Sequence, residues 1–296
     1  MSTEARPILI GVDRLLGVPG RFSVFQCPNC MAGHTAPPAS ASELASYYVP
    51  GYASHEQVSE SRISRLALLA KRVHVRAILR SLPLESALLG GTGTALDVGC
   101  GRGDLAAGLV RLAWRVSGVE VSRQAAEIAR SRGVVIEGET LSSATLPSET
   151  YDLVIFRHSL EHLPDPVANL RRANAAMRHG GRLVVSVPNF DSWQRRLFGS
   201  RWFHLDVPRH RFHFTPIALA TAVQSAGFSI CETSTSTSAL GLPSSIQYLL
   251  LGRCIAARGL PFRVAVLACW LSFPLTWTID RIGGGGDTLH VIARRE

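Results

Sequence analysis

The run Leu96-Asp97-Val98-Gly99-Cys100-Gly101-Arg102-Gly103 places a carboxylate beside a glycine-rich turn. Glycines let a backbone close on a ligand where a Cβ would collide. A helix starting just beyond offers unpaired N–H groups. No Gly-Lys-Ser/Thr follows, which excludes a Walker phosphate loop. Asp104 stands where a dinucleotide fingerprint needs a third glycine or alanine. Asp97 would also repel a pyrophosphate, and it suits a ligand that carries an ammonium group. Glu120, in Gly118-Val119-Glu120-Val121, can accept hydrogen bonds from both hydroxyls of a ribose. Together these groups point to a nucleoside with an amino-acid tail.

A second set of chemical groups lies in His158-Ser159-Leu160-Glu161-His162. On a helix, His158, Glu161 and His162 fall at i, i+3 and i+4, on one face. Such a face can bind a divalent metal, take a proton from an acceptor hydroxyl, or simply brace a loop. A third cluster is Trp202-Phe203-His204-Leu205-Asp206-Val207-Pro208-Arg209-His210-Arg211-Phe212-His213-Phe214. Here His210 is the candidate base; a loop anchored by its aromatic rings is the alternative. Cys27-Pro28-Asn29-Cys30 is half of a zinc ribbon, and a structural zinc needs four ligands. With no second pair, these two cysteines read as a remnant, and no metal ligands are assigned.

These groups need elements to hold them. From Thr94 onward, short apolar strands alternate with amphipathic helices. Strands are expected at 95–98, 116–121, 134–136, 152–156 and 181–187, and helices at 104–112, 122–131 and 165–177. The pattern demands a parallel α/β sheet covered on both faces and doubly wound. A helix at 215–226, a strand at 228–233 and a closing strand at 287–293 follow. Ahead of this core, residues 1–58 read as irregular and 59–93 as an amphipathic helix. The core spans 94–237, an apolar helical insertion 238–285, and the closing strand of the core 286–296.

At this point the chain resembles the class I S-adenosylmethionine-dependent methyltransferases. The resemblance rests on residues 96–103, Glu120, Tyr151-Asp152-Leu153-Val154, Leu160-Glu161-His162-Leu163-Pro164-Asp165-Pro166 and Gly180-Gly181-Arg182-Leu183. It implies a Rossmann-like seven-stranded sheet, with the insertion before the last strand, and S-adenosylmethionine as cofactor. Carried over, Asp97, Gly99, Cys100, Gly101 and Gly103 would surround the methionine end, and Glu120 and Val121 the ribose. Gly138 and Glu139 would lie near the adenine, and Phe156 and Arg157 beside the sulfonium. His158, Glu161, His162 and His210 would face the acceptor. The Glu161-His162 segment is similar to the ubiquinone-biosynthesis O-methyltransferases, where a Glu-x-x-Glu-His run supports metal binding; His158 replaces the first Glu. The Pro-Arg-His-x-x-His-Phe pattern at 208–214 looks like methyltransferases of natural-product and cell-surface glycan pathways. The expected reaction is O-methylation of a small-molecule or lipid-linked acceptor.

Composition narrows the rivals. The 296 residues are 46% hydrophobic and 18% charged, which excludes disorder throughout. Net charge is +9, from 31 basic and 22 acidic residues, and Lys71 is the single lysine. A basic chain fits nucleic acid, a membrane surface or an acidic substrate, as well as a plain solvated face. Amino-directed base methylation resembles an Asp/Asn-Pro-Pro-aromatic motif, and Phe156-Arg157-His158-Ser159 is not one. A nucleic-acid methyltransferase and a non-catalytic cofactor-binding protein stand as alternatives. Six dispersed cysteines do not form a disulfide framework, and no signal-peptide core opens the sequence, so a cytoplasmic enzyme is expected. Within 238–285 the uncharged stretches read as a cap over the acceptor pocket or as an interfacial hairpin at the membrane's inner face.

Overall fold

A computed structural model describes residues 6–38, 43, 92–254, 273–282 and 285–296. The expected helix at 59–93 falls almost wholly outside them, as do residues 255–272 of the expected insertion.

The central sheet has seven strands. They are β4 (Thr94–Val98), β5 (Arg115–Val119), β6 (Val135–Gly138), β7 (Tyr151–Arg157), β8 (Met177–Pro188), β10 (Phe228–Ser236) and β11 (Thr288–Arg295). Their order is β10-β11-β8-β7-β4-β5-β6. β4 to β8 run parallel, while β11 lies antiparallel between β8 and β10. The chain builds outward from β4 to β5 and β6, then returns to place β7 on the other side. The order therefore reverses at β4, and the crevice beyond the carboxyl end of that strand is where open α/β sheets bind ligands.

Side chains alternate across the sheet with period two. Leu96, Val98, Val154, Phe156 and Val185 enter one buried cluster with Leu170, Leu219 and Val223. Ala95, Leu153, Ile155 and Val184 enter the opposite cluster with Leu109, Trp114 and Ala129. Neither face is left for water, so the strands read as unbroken apolar runs. The helices covering them are α1 (Ala106–Val110), α2 (Arg123–Ser131), α3 (Pro166–Ala176) and α5 (Pro216–Ser225), with α4 (Trp193–Phe198) after β8. Asp165 and Thr215 cap α3 and α5 through Ala168 N–H and Ala218 N–H, and a proline follows each cap. The helix expected at 104–112 is shorter than its pattern. The chain leaves it for a turn in which Ala113 takes a φ of +65°.

The N-terminal segment departs from the irregular expectation. β1 (Leu9–Gly11), β2 (Phe22–Gln26) and β3 (Gly33–Ala36) form an antiparallel sheet. It is completed by β9 (Phe212–His213), from the distant histidine cluster. Its inner residues, Phe22 and Val24, pack on Phe190, Trp202, Leu205 and Val207. Each strand is too short, and too closely flanked by glycine and proline, for its alternation to stand out. Cys27 and Cys30 lie at the β2–β3 turn, where Cys27 N–H donates to Ala32 O and Met31 N–H to Cys27 O. After β10, α6 (Gly241–Leu251) and a helix at 273–282 belong to the apolar insertion. No helix of the described residues is long and apolar enough to cross a membrane.

Candidate active site

Three glycines of the β4 loop take positive φ: Gly99 at +75°, Gly101 at +54° and Gly103 at +71°. A Cβ on Gly99 would stand 2.6 Å from Cβ of Ser159, so this turn closes only with glycine. Asp97 ends the strand in the interior, 3% exposed. Burial pushes its carboxyl up to about 7; the Arg157 guanidinium opposes the rise and Glu120 adds to it. Such a group is poised to gain from a cationic ligand. Glu120 follows β5 directly and is fixed by two backbone donors. Its Oε2 accepts Gly101 N–H at 2.8 Å, and its Oε1 accepts Ser122 N–H at 2.8 Å. It thus ties the glycine loop to the start of α2, and a carboxylate oxygen can still accept a second donor such as a sugar hydroxyl. A cavity of about 240 Å³ opens beside it, lined by Glu120, Arg123, Ala126, Ile136, Gly138 and Glu139.

Not every expected cofactor contact is presented to this crevice. Phe156 is fully buried in the hydrophobic core, so its ring does not face a ligand. The Cys100 side chain also turns inward, against Gly118, leaving its backbone to the loop. Burial raises its thiol pKa, which keeps it protonated. Val121 is half-exposed, and Glu139 is an exposed side chain 3.5 Å from Arg123. Arg157, at the end of β7, is the cation nearest Asp97 in electrostatic effect.

The acceptor side is not the helical face that the spacing suggests. Leu160–His162 is a single 3₁₀ turn, and His158 precedes it with a φ of +50°. Glu161 nevertheless sits at the centre of the expected group. His158 Nδ1 approaches its Oε1 to 3.6 Å and His210 Nε2 to 3.9 Å. The His162 and His210 rings meet edge to face, with centroids 4.7 Å apart. Glu161 is 1% exposed, and neither of its oxygens has a hydrogen-bond partner among the described residues. Burial pushes its carboxyl up to about 7, partly offset by His162. His162 Nδ1 donates to Arg209 O at 3.0 Å, and His210 Nδ1 donates to His204 O at 2.9 Å. A carbonyl can only accept, so each ring carries a proton on Nδ1, and in neutral His210 the lone pair lies on Nε2. Burial and the neighbouring His162 and His213 hold the His210 pKa well below the ordinary value. Burial and then Arg157 also favour the neutral form of His158.

The sequence assigns no metal ligands, yet ligand atoms of Glu161, His162 and His210 lie within 4.8 Å of one another. Two imidazoles fixed by carbonyls and one unpartnered carboxylate fit a divalent cation. Sequence reasoning missed Ser159, whose buried Oγ has no hydrogen-bond partner among the described residues and faces Gly99. It also missed the pair formed by His204 Nε2 and the buried Asp287 carboxylate, 3.1 Å apart. Nothing in their local spacing marks either one; the pair comes from segments 83 residues apart.

The fold has counterparts among known proteins. Residues 69–233, more than half of the chain, match the family described as a methyltransferase domain. The ubiquinone biosynthesis O-methyltransferase of Methylobacterium sp. (strain 4-46) is 30% identical over 177 residues, covering 56% of this chain and 68% of that protein. The enzyme of the same name from Aeromonas salmonicida is 28% identical over 152 residues. That match covers 47% of this chain and 64% of the relative, under two thirds of its length. Among solved structures, the [4+2]-cyclase SpnF gives a TM-score of 0.52 at 20% identity, covering 85% of this chain and 89% of that one. A methyltransferase from Thermotoga maritima gives 0.50 at 20% identity, covering 77% and 92%. These structures show a shared fold, and a cyclase among them shows that the fold alone does not name a reaction. The family match, the reversal of strand order at β4 and the glycine loop with its two carboxylates agree: the chain belongs to the class I S-adenosylmethionine-dependent methyltransferases.

Proposed function

We propose that the protein methylates an oxygen of a small-molecule or lipid-linked acceptor, which lies over Glu161 at the carboxyl end of β7. The observation that carries this reading is the Glu161 carboxylate, buried and without a hydrogen bond among the described residues, with His210 Nε2 3.9 Å from it and the His162 ring in the same cluster. S-adenosylmethionine, when bound, supplies an electrophilic methyl group. Asp97 would pair with its ammonium end and Glu120 would take the ribose hydroxyls. Glu161 or His210 would accept the acceptor's hydroxyl proton as the oxygen attacks. Orientation contributes the rest, since the nucleophile must lie in line with the breaking bond. A divalent cation held by Glu161, His162 and His210 would lower the pKa of an acceptor hydroxyl.

Calorimetric titration with S-adenosylmethionine and S-adenosylhomocysteine, alongside Asp97→Ala and Glu120→Ala, tests the cofactor half. Micromolar binding lost in both variants supports it, and a folded protein that binds neither compound refutes it. An acceptor screen with labelled methyl donor, lipid-linked phenols and polyols first, tests the rest. Labelling that survives Glu161→Gln would leave His210 as the base, and labelling that survives Glu161→Gln and His210→Gln together would refute the assignment. Labelling of structured RNA would favour the nucleic-acid alternative, and cofactor binding without turnover the non-catalytic one.

The lipid-linked version draws on the insertion. Leu249, Leu250 and Leu251 on α6 are exposed, as are Leu275, Trp277 and Ile282. Residues 238–285 carry four arginines and a single acidic residue, Asp280, which is buried. An apolar surface with basic flanks suits peripheral contact with an anionic bilayer. Co-sedimentation with phosphatidylglycerol vesicles, lost in Leu250→Glu, supports it; no sedimentation of the wild type excludes it.

A further inference from the structure

We infer that the N-terminal sheet is part of the catalytic apparatus, with Thr35 and the Asp13–Arg209 pair acting as positioning residues for His210. The inference rests on the reading of Glu161 and His210 as the acceptor-side pair. The sheet's first three strands lie outside the matched family residues 69–233. They would ordinarily be taken for an appendage.

The loop carrying His210 is held from two sides. On the inner side, Arg209 O accepts from the His162 ring, and Arg211 N–H donates to Glu161 O at 2.9 Å. These bonds set the loop against the Glu161 turn. On the outer side it is gripped by Thr35 of the N-terminal sheet and Asp13 of the loop after β1, beside Asp206 of its own segment. Thr35 Oγ1 donates to His210 O at 2.7 Å and lies 3.0 Å from His213 Nε2. Thr35 N–H donates to Arg211 O at 2.9 Å. The Arg209 guanidinium, with no exposure, spans Asp13 at 2.7 and 2.8 Å and also meets Asp206. Asp13 in turn accepts N–H groups of Leu15, Leu16 and Val18, which fixes the carboxylate in the loop after β1. Burial pushes the Asp13 carboxyl up, but Arg209 and these donors win and hold it below the usual carboxylate range.

Three consecutive residues, Arg209 to Arg211, are thus pinned between the reacting group and this sheet. The direction of the His210 ring follows from that backbone, because its Nδ1 must meet His204 O while Nε2 lies between Asp206 at 3.8 Å and Glu161 at 3.9 Å. Loss of the outer grip frees the backbone at 209–211 to turn, and with it the lone pair. A buried, bidentate arginine is also a costly device for mere attachment, since apolar packing would secure the sheet as well. It does fix a direction.

The test uses the full chain labelled with ¹⁵N-histidine. The wild-type His210 ring is expected as one tautomer, protonated at Nδ1. Thr35→Ser keeps the hydroxyl and should keep that spectrum. Thr35→Val and Asp13→Asn should each give a mixture of tautomers and at least tenfold faster amide exchange over 209–213. A single unchanged tautomer in folded Thr35→Val overturns the inference, and this variant decides the matter if Asp13→Asn fails to fold. S-adenosylmethionine titrated into the same samples should bind wild type and Thr35→Val alike. Equal loss of cofactor binding in Thr35→Val would mean general disruption and would also overturn the inference. A wild type that binds no cofactor would refute the proposed function, while the ring spectra would still report on positioning.

Discussion

Asp97→Asn should make the cofactor-free protein more stable at pH 8 and leave it almost unchanged near pH 4. In the folded apoprotein the Asp97 carboxyl is pushed from 3.8 to about 7, chiefly by burial. At ~1.4 kcal/mol per pH unit, ionising it in place costs about 4 kcal/mol. The sign follows from linkage. Between 3.8 and about 7 the folded chain holds a proton that the unfolded chain has released. Stability therefore falls as pH rises through that window, and the decline is complete above it. Asparagine has no proton to lose, so the decline disappears. The same ionisation governs ligand capture. A bound ammonium restores the carboxylate, so affinity for S-adenosylmethionine should fall about tenfold per pH unit below 7 and level off above it. Urea unfolding of wild type and Asp97→Asn at pH 4, 6 and 8 measures the first effect, and calorimetry from pH 5.5 to 8 the second. A wild-type-minus-variant difference that stays flat across pH refutes the argument that burial, uncompensated in the apoprotein, raises this group.

The neighbouring groups give sharper local tests. Glu120→Gln replaces one accepting oxygen with an amide that faces an N–H. It should cost about 1.5–3 kcal/mol, speed hydrogen exchange at Gly101 and weaken cofactor binding at least tenfold; retained binding would separate Glu120 from the ribose. Gly99→Ala brings a Cβ to 2.6 Å from Ser159 at a φ of +75°, and thermal unfolding should register a loss of about 1–3 kcal/mol. Arg209→Met strands Asp13 and Asp206 in the interior and should cost about 3–5 kcal/mol by chemical denaturation. A change under 1 kcal/mol would show that the pair is not desolvated in solution.

Much of the core was legible because its signals are local. The Leu96–Val98 run, the glycine turn and the Asp165-Pro166 and Thr215-Pro216 helix starts each declare a backbone state within a few residues. Strand ends shifted by one to several positions because ladders extend wherever a partner lies alongside. β8, for example, runs from Met177 rather than Gly181. The N-terminal strands were missed because their apolar side chains are few and pack on Phe190 and Trp202, far along the chain. The helical face expected at His158 to His162 was wrong in geometry although Glu161 does draw these histidines together. His158 leaves β7 at a φ of +50°, and the chain makes a single 3₁₀ turn before Leu163 returns to extended backbone.

The sequence by itself determined the doubly wound sheet, the glycine turn at its first strand and the carboxylates beside that turn. Those follow from periodicity, from the absence of Cβ atoms and from charge, all properties of neighbouring residues. Only the tertiary structure decided that Glu161 is buried without a hydrogen bond among the described residues and that His158 and His210 approach its Oε1. It also decided that strands from the first 36 residues pair with the segment that carries His210. Burial, tautomer and ion pairing depend on what comes to lie alongside, and Asp13 and Arg209 meet across 196 positions. No local pattern can carry a contact of that range.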